Sequence, residues 1–405
     1  MNNKIKASTL ELSRQLIQIP SYSGVNNEAI NLIENFLKNL GFSCEILNYS
    51  GDNSYEVNNL HAIFNPKKSA KTIYFAGHTD VVKEGDKAKW RFDPFSAKID
   101  GDKLYGRGAS DMKCAIASFM SAVAEYLSQN PNPDFGIGFL ITNDEENDSV
   151  NGTAKVLKWM EQKNFNITYC LVGEPTNPNK LGEMIKIGRR GSIGFNIEIF
   201  GKQGHVAYPD IALNPITMLI NLCKVLKDQK MDNGTEFFDP SNLEFTNIGT
   251  ENLGSNVIPL KAFCAFNIRF NDTHKAQDII DFVEYACKKT IGQKIQDTPN
   301  AIDKSSPIAD FIGKYQMSYR LSGEAFLSKP KKLAKITQNA VQKICGVVPV
   351  LGTTGGTSDA RFIKDYAEVV EIGLVNETAH KIDEFALISE IENLQKIYLE
   401  ILKEV

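Results

Sequence analysis

The sequence predicts an α/β protein: a mostly parallel mixed sheet with helices on both faces, into which a smaller ferredoxin-like α+β unit is inserted. Two patterns carry that expectation. Up to residue 182, and again from 324, short apolar runs rich in β-branched and aromatic residues alternate with stretches of helical periodicity, the order that builds parallel sheets. Between them the order becomes β-α-β-β-α with period-2 strands, which builds a small antiparallel sheet covered on one face. The expected division is therefore 1–182 and 324–405 for the larger domain and 183–323 for the inserted one. A chain of 405 residues, 42% of them hydrophobic, has ample material for two cores.

The elements follow in order. Apolar residues at three- and four-residue spacing predict helices over 6–19 and 26–40, stopped by Pro20 and Gly41. Strands are expected near 44–48, 60–64 and 71–76. The Ala-, Met- and Ser-rich stretch from Asp111 to Leu127 reads as a helix, with Asp111 at or just before its N-terminus. A strand at 135–142, a helix at 153–163 and a strand at 168–172 complete the first part. In the inserted part, IGFNIEIFG alternates as a half-buried strand. A helix at 214–228, strands at 243–248 and 261–270, a helix at 275–289 and a strand in MSYRLSG (317–323) come after it. The last part holds a helix through about 345, a strand near 367–374 and a helix after Ile388.

Five residues of metal-ligand type stand where strands or loops end: His78, Asp111, Glu146, Glu174 and His380. The chain has only five histidines, and two fall in this set. KTIYFAGH, FGIGFLITNDEE and TYCLVGE each read as a buried strand stopping at acid or histidine, and sites in open parallel sheets form beyond the carboxyl ends of strands. In GHTDVV, Asp80 is two residues beyond His78 and on the same side of an extended segment, so its carboxylate is expected to accept the imidazole N–H. Small residues in GRGASDMK allow close backbone approach ahead of Asp111. Asp144, Glu145 and Glu146 would repel each other without a cation, and one glutamate can bind metal while its neighbour serves as general base. Gly355 to Ser358 in GGTSDARF are expected at a helix start, where N–H groups can hold a substrate carboxylate. Histidine and carboxylate ligands without thiolate suit zinc or cobalt, and the expected reaction is metal-assisted hydrolysis of an amide.

The bulk properties set limits on partners. The formal net charge of -4 and the short, separated basic runs give no reason to expect a nucleic-acid partner. Seven dispersed cysteines without a CxxC pair fit reduced thiols in a cytoplasm, with Cys114 and Cys170 as small buried residues. No apolar run approaches membrane-spanning length, and no leader pattern opens the sequence. No GxGxxG follows a strand, which argues against a nucleotide cofactor.

The segments GHTDVV, WRFDPF, LYGRGASDMK, DEE, VGEP, GRRGS, QGHVAYP, NVIP, GGTSDARF and NETAHKIDE occur in this order up to Glu384. In them the chain resembles the co-catalytic zinc aminoacylase and carboxypeptidase family. The resemblance implies two Zn2+ per subunit, with Co2+ as the alternative: His78 and Glu174 on one ion, Glu146 and His380 on the other, Asp111 bridging. It makes Glu145 the general acid/base, Asp80 the aspartate behind the first histidine, and Asp111–Met112 a candidate cis peptide. It implies a homodimer in which His205 and Asn256 reach the partner's site, His205 stabilising the oxyanion. Arg189, Ser192, Tyr208, Asn256, Arg269, Gly356, Thr357 and Asn376 would line the pocket of a small-molecule substrate, the arginines suiting carboxylates at its two ends. Lys83, the absence of a small residue after the glutamates of DEEND, Ala379 and a longer 290–316 segment depart from the family pattern, and none of these departures replaces a metal ligand. A catalytically silent binding protein is the rival reading; the intact ligand set, Glu145 and His205 weigh against it.

Overall fold

The structure, a computed structural model, describes residues 8–25, 27–251, 254–294, 313–328 and 331–405. Most of the longer 290–316 segment therefore lies outside the described residues. The chain divides into two compact units, Met1–Gly188 with Ser328–Gly352 and Ser358–Val405, and Arg189–Leu327 with Thr353–Thr357.

The first unit is organised by an eight-stranded mixed sheet. Its strands run in the order Ser43–Gly51, Ser54–Phe64, Gly136–Thr142, Thr72–His78, Tyr169–Val172, Glu368–Glu371, Met184–Lys186, Val350–Gly352. The first two pairings are antiparallel; the strands from Gly136–Thr142 to Glu368–Glu371 are parallel. Thr72–His78, Gly136–Thr142 and Tyr169–Val172 are buried at every position. That explains why they read as continuous apolar runs: helices cover both faces, so neither side of the pleat meets water. Behind them Cys114–Gln129 packs against Ile388–Glu404 and Thr9–Ile17. Phe75 stacks on Phe119 with ring centroids 4.7 Å apart, and Phe139 and Tyr398 meet Phe119 edge-on at 5.1 and 5.4 Å. Each such ring buried in place of water is worth about 1.5–3 kcal/mol, which makes this cluster a rigid floor under the strand ends.

The second unit carries a five-stranded sheet in the order Asn242–Gly249, Lys261–Phe270, Gly191–Phe200, Gly313–Gly323, Gly292–Lys294. All pairings are antiparallel except the last. Ile193, Phe195, Ile197 and Ile199 alternate with more exposed residues, and helices Pro215–Asp228 and Ala276–Thr290 bury that face. Pro215 opens its helix with the Asn214 side chain accepting from the Ile216 N–H, a conventional start. The strand expected from 317 begins earlier, at Gly313, because the alternation runs back through Tyr315.

One buried histidine belongs to the fold and not to the site. His61, 1% exposed, lies in an aromatic nest of Tyr74, Trp159 and Phe165, its Nε2 3.2 Å from the Tyr74 hydroxyl. Burial pushes its pKa from 6.5 down to about 4. Between those values the unfolded chain binds a proton that the native chain refuses, so stability falls as pH drops through that window. The loss should reach about 3 kcal/mol near the lower end. Urea titrations across this range should show a shallower acid-side decline for His61→Gln than for the wild-type chain, and parallel declines would disprove the assignment.

Candidate metal centre

Three adjacent parallel strands bring their ends to one edge of the first unit's sheet. His78 is the last residue of its strand and pairs with Thr142; Glu145 and Glu146 follow that neighbour, and Glu174 lies just past Val172, which pairs with Ala76. Glycines precede two of these ligands for a steric reason. A Cβ on Gly77 or on Gly173 would stand 2.6 Å from Met112 Cε. Their absence lets Met112 pack there, which seats its neighbour Asp111 above the strand ends. The Asp111–Met112 peptide is cis, as the family resemblance suggested. His380 comes from a loop, in the left-handed backbone region at φ 65°.

The six side chains converge. Asp111 lies between the imidazoles, Oδ1 3.2 Å from His78 Nε2 and Oδ2 3.2 Å from His380 Nε2. Glu174 Oε1 is 3.5 Å from His78 Nε2, and Glu146 Oε1 is 2.9 Å from His380 Nε2. Donor atoms of His78, Asp111 and Glu146 lie within 4.8 Å of one another, as do those of His78, Glu145 and Glu174. Asp80 departs from its expected role. His78 Nδ1 donates to the Asp80 backbone carbonyl at 2.9 Å, whereas the carboxylate is 3.6 Å away. That carboxylate instead accepts the backbone N–H groups of Glu145 and Glu146, at 3.0–3.2 Å, and the Ser23 hydroxyl at 2.7 Å. Asp80 thus shapes the turn that aims both glutamates. With Nδ1–H committed to a carbonyl, Nε2 is the nitrogen left to face a ligand.

The electrostatics follow from packing four carboxylates around two imidazoles. Burial opposes charge on His78, yet hydrogen bonds to Asp111 and Glu174 and the charge of Asp80 hold it well above the usual imidazole range. Hydrogen bonds to Asp111 and Glu146 raise His380 to about 10. Burial would raise Asp111, but its bonds to His380 and His78 hold it well below the usual carboxylate range. Burial, then the charge of Glu174, pushes Glu145 well up. Burial and the charge of Asp111 bring Glu146 to about 7 against the pull of His380. The raised Glu145 and Glu146 carboxyls reflect burial and the repulsion of neighbouring acids. Imidazole nitrogens and carboxylate oxygens are the donors that divalent zinc or cobalt accept, so the residues fit such ions. Thiols are no part of this set: burial pushes Cys114 up to about 12, leaving it protonated.

Other residues named from the sequence lie in the second unit. Ser192 and Arg269 are register partners on neighbouring strands, and Arg189 Nη1 donates to the Gly356 carbonyl at 3.0 Å, beside Thr357. Burial, then the charges of Arg190 and Arg189, lowers Arg269, whose Nη1 is buried without a partner among the described residues. His205 pairs with Val257, next to Asn256, whose carbonyl accepts the Val206 N–H at 3.1 Å; Tyr208 is exposed, its ring 5.8 Å from that of His205. Asn376 is in the first unit, its N–H donating to the Asn177 carbonyl at 2.9 Å. Sequence reasoning missed Asp359, raised to about 6 by burial and donated to by Thr153 at 2.5 Å, which adds to the charge around Glu145 and Glu174. The GGTSDARF motif contained it, but drew attention to its backbone. The acidic run Asp144–Glu146 reads as one cluster in the sequence, but the Asp144 carboxylate turns away to the Tyr55 hydroxyl and the Val150 and Asn151 N–H groups.

The model of Peptidase family M20/M25/M40 matches residues 74–404. A succinyl-diaminopimelate desuccinylase of Pelagibacter ubique (strain HTCC1062) is 45% identical over 394 residues, 97% of this chain and 98% of that one. A tripeptidase of Staphylococcus aureus subsp. aureus mu50 has the same fold, with a TM-score of 0.76 at 18% identity over 100% of this chain and 98% of the other. A Bacillus subtilis dinuclear metal binding peptidase from the M20 family aligns with a TM-score of 0.65 at 13% identity, over 98% of each. Fold and family together define a hydrolase with a His/Asp/Glu cluster able to hold metal. The chain belongs to peptidase family M20/M25/M40.

Because Asp80 holds the Glu145–Glu146 turn, Asp80→Ala should weaken divalent-metal binding by about 10–100-fold while leaving the circular-dichroism spectrum unchanged. Equilibrium dialysis with elemental analysis measures this; wild-type affinity would remove Asp80 from the site.

Proposed function

We propose that this chain is a two-cation amide hydrolase that cleaves N-succinyl-LL-2,6-diaminopimelate to succinate and LL-2,6-diaminopimelate. The observation that carries the chemistry is Asp111 set between His78 and His380, 3.2 Å from each, with Glu145 beside them. The substrate rests on the relative named succinyl-diaminopimelate desuccinylase, 45% identical over nearly the full length of both chains. His78 and Glu174 would hold one Zn2+, Glu146 and His380 the other, and Asp111 both; Co2+ is the alternative occupant. Bound there, the ions supply Lewis acidity toward the amide carbonyl and acidify a water molecule.

Glu145 is the group that moves protons. The pressure of burial and of Glu174, which pushes its carboxyl up, suits it to take a proton from the attacking water and deliver it to the leaving amine. Asp80 fixes its backbone. In the second unit Arg189, Arg269 and Ser192 would hold substrate carboxylates, with Tyr208, Gly356 and Thr357 as further substrate contacts; Asn376 is a proposed substrate contact of the first unit. The enzyme would work as a homodimer, with His205 and Asn256 serving the partner's site and His205 stabilising the oxyanion. Dispersed cysteines, each free, fit a cytoplasmic setting. Among the described residues no helix is long and apolar enough to cross a membrane.

Replacing Glu145 by Ala should lower kcat on N-succinyl-LL-2,6-diaminopimelate by about 10²–10⁴-fold with metal content near wild type. Retained turnover would refute its role, and faster turnover of N-acetylornithine by the wild-type chain would refute the substrate. Glu145→Ala and His205→Ala homodimers, each impaired, should regain turnover when mixed and allowed to exchange subunits. A mixture no more active than its parts would show that His205 acts within its own chain or not at all.

A further inference from the structure

One buried carboxylate outside the ligand set ties together the two loops that supply Asp111 and His380. Strand Lys103–Tyr105 pairs antiparallel with Phe385–Leu387, so the loop after Tyr105 and the loop before Phe385 leave the ladder side by side. Glu384, fully buried, is the first residue past the ladder on one side. Its Oε1 accepts the N–H groups of Gly108, Ser110 and Asp111 at 3.1, 2.9 and 3.2 Å, and its carbonyl accepts the Gly106 N–H at 2.9 Å. Its Oε2 receives Arg107 Nη1 at 2.6 Å. The Arg107 guanidinium lies 5.2 Å from the Trp90 ring, with Nη2 3.5 Å from the His380 carbonyl. Thr378 closes the other loop, its Oγ1 2.7 Å from the Phe385 carbonyl and 3.2 Å from the Phe385 N. His380 and Glu384 therefore belong to one pinned loop, and Glu384 grips the other.

We propose that Glu384 is a positioning residue for the cation on the His380 side, setting Asp111 and His380 in register through the 106–111 backbone. The proposal rests on the two-cation reading of the site. Its selectivity comes from the architecture. His78 and Glu174 sit at strand ends that Glu384 does not touch, so the ion they hold would keep two of its three ligands in place. The other ion relies on Asp111 and His380 and would keep only Glu146. Charge-assisted bonds to a concave run of N–H groups are strong and directional, so shortening the carboxylate arm by one methylene withdraws the grip without removing the charge that faces Arg107.

The test is a Co2+ titration of metal-free wild-type and Glu384→Asp protein, followed by visible absorption, with kcat and KM measured at fixed cobalt. The wild-type chain should take two equivalents. In Glu384→Asp the first should bind within a few-fold of wild type, the second about 10–100-fold more weakly, and kcat should fall with KM little changed. Two wild-type affinities would overturn the proposal, as would equal weakening of both ions, the mark of general structural support. Fewer than two equivalents in the wild-type chain would overturn the two-cation reading instead. Should Glu384→Asp fail to fold, the Glu384→Leu, Arg107→Met double variant, which removes the acceptor together with the guanidinium it pairs, takes the same titration. Selective loss of the second ion supports the proposal there and unchanged affinities overturn it.

Discussion

Like charge gathered at the end of a buried sheet is the constraint to which the first unit answers. Asp111, Glu145, Glu146 and Glu174 share one cluster with two imidazoles, and even with both imidazoles protonated the acids outnumber them. A buried ionised group without a partner costs several kcal/mol, so every nearby acid needs an assigned neighbour. The assignments are specific. Asp80 is spent on backbone N–H groups and Ser23, Asp144 on Tyr55 and two further N–H groups, Asp359 on Thr153, and Glu384 on Arg107 and three N–H groups. Asp80, Asp144 and Glu384 are satisfied locally and Asp359 at Oδ2 alone, its Oδ1 being buried without a partner among the described residues; the inner four face the histidines, and a divalent cation is the partner such a set accepts.

The same requirement explains a buried lysine. Lys113 is wholly enclosed, its Nζ donating to the Ile19 carbonyl at 2.6 Å, and burial pulls its pKa down to about 7 against the charges of Glu384 and Asp80. It feels the charge of both the acid that shapes the Glu145–Glu146 turn and the acid that grips the Asp111 loop. In its protonated form it lowers the cost of keeping both carboxylates ionised in an apolar setting.

Much of this was legible in the sequence, and the reason is local. A strand buried on both faces shows as an unbroken apolar run, so an acid or histidine that ends it is conspicuous: His78, Glu174 and the Glu145–Glu146 pair announced themselves this way. The alternation in IGFNIEIFG likewise marked a sheet covered on one side. What stayed hidden depends on pairs far apart in the chain. Nothing near Asp80 says that its carboxylate will take the N–H groups of residues 65 and 66 positions later, and nothing near Glu384 says that it will grip residues 106–111. The requirement for Gly77 and Gly173 also comes from Met112, a side chain of a different segment. Loop-to-loop hydrogen bonds have no periodicity, so pattern reading does not reach them.

The two halves of the cluster are held by different means, and that asymmetry is a physical statement about the site. His78 is 1% exposed and ends a strand whose neighbours are fixed by ladder hydrogen bonds over the Phe75–Phe119–Phe139 floor. His380 has a side chain 48% exposed and sits on a loop in the left-handed region, secured by a short ladder and by Glu384. Strand ends are rigid because moving one residue breaks several neighbours' bonds at once. A loop is rigid only to the extent that particular contacts pin it. The buried half is thus set by the fold itself, whereas the open half, the one that meets solvent, is set by a handful of polar contacts. Position is inherited on one side and assembled on the other, and Asp111 belongs to both: its chain segment is gripped by Glu384 while its neighbour Met112 is packed between the glycines of the strands.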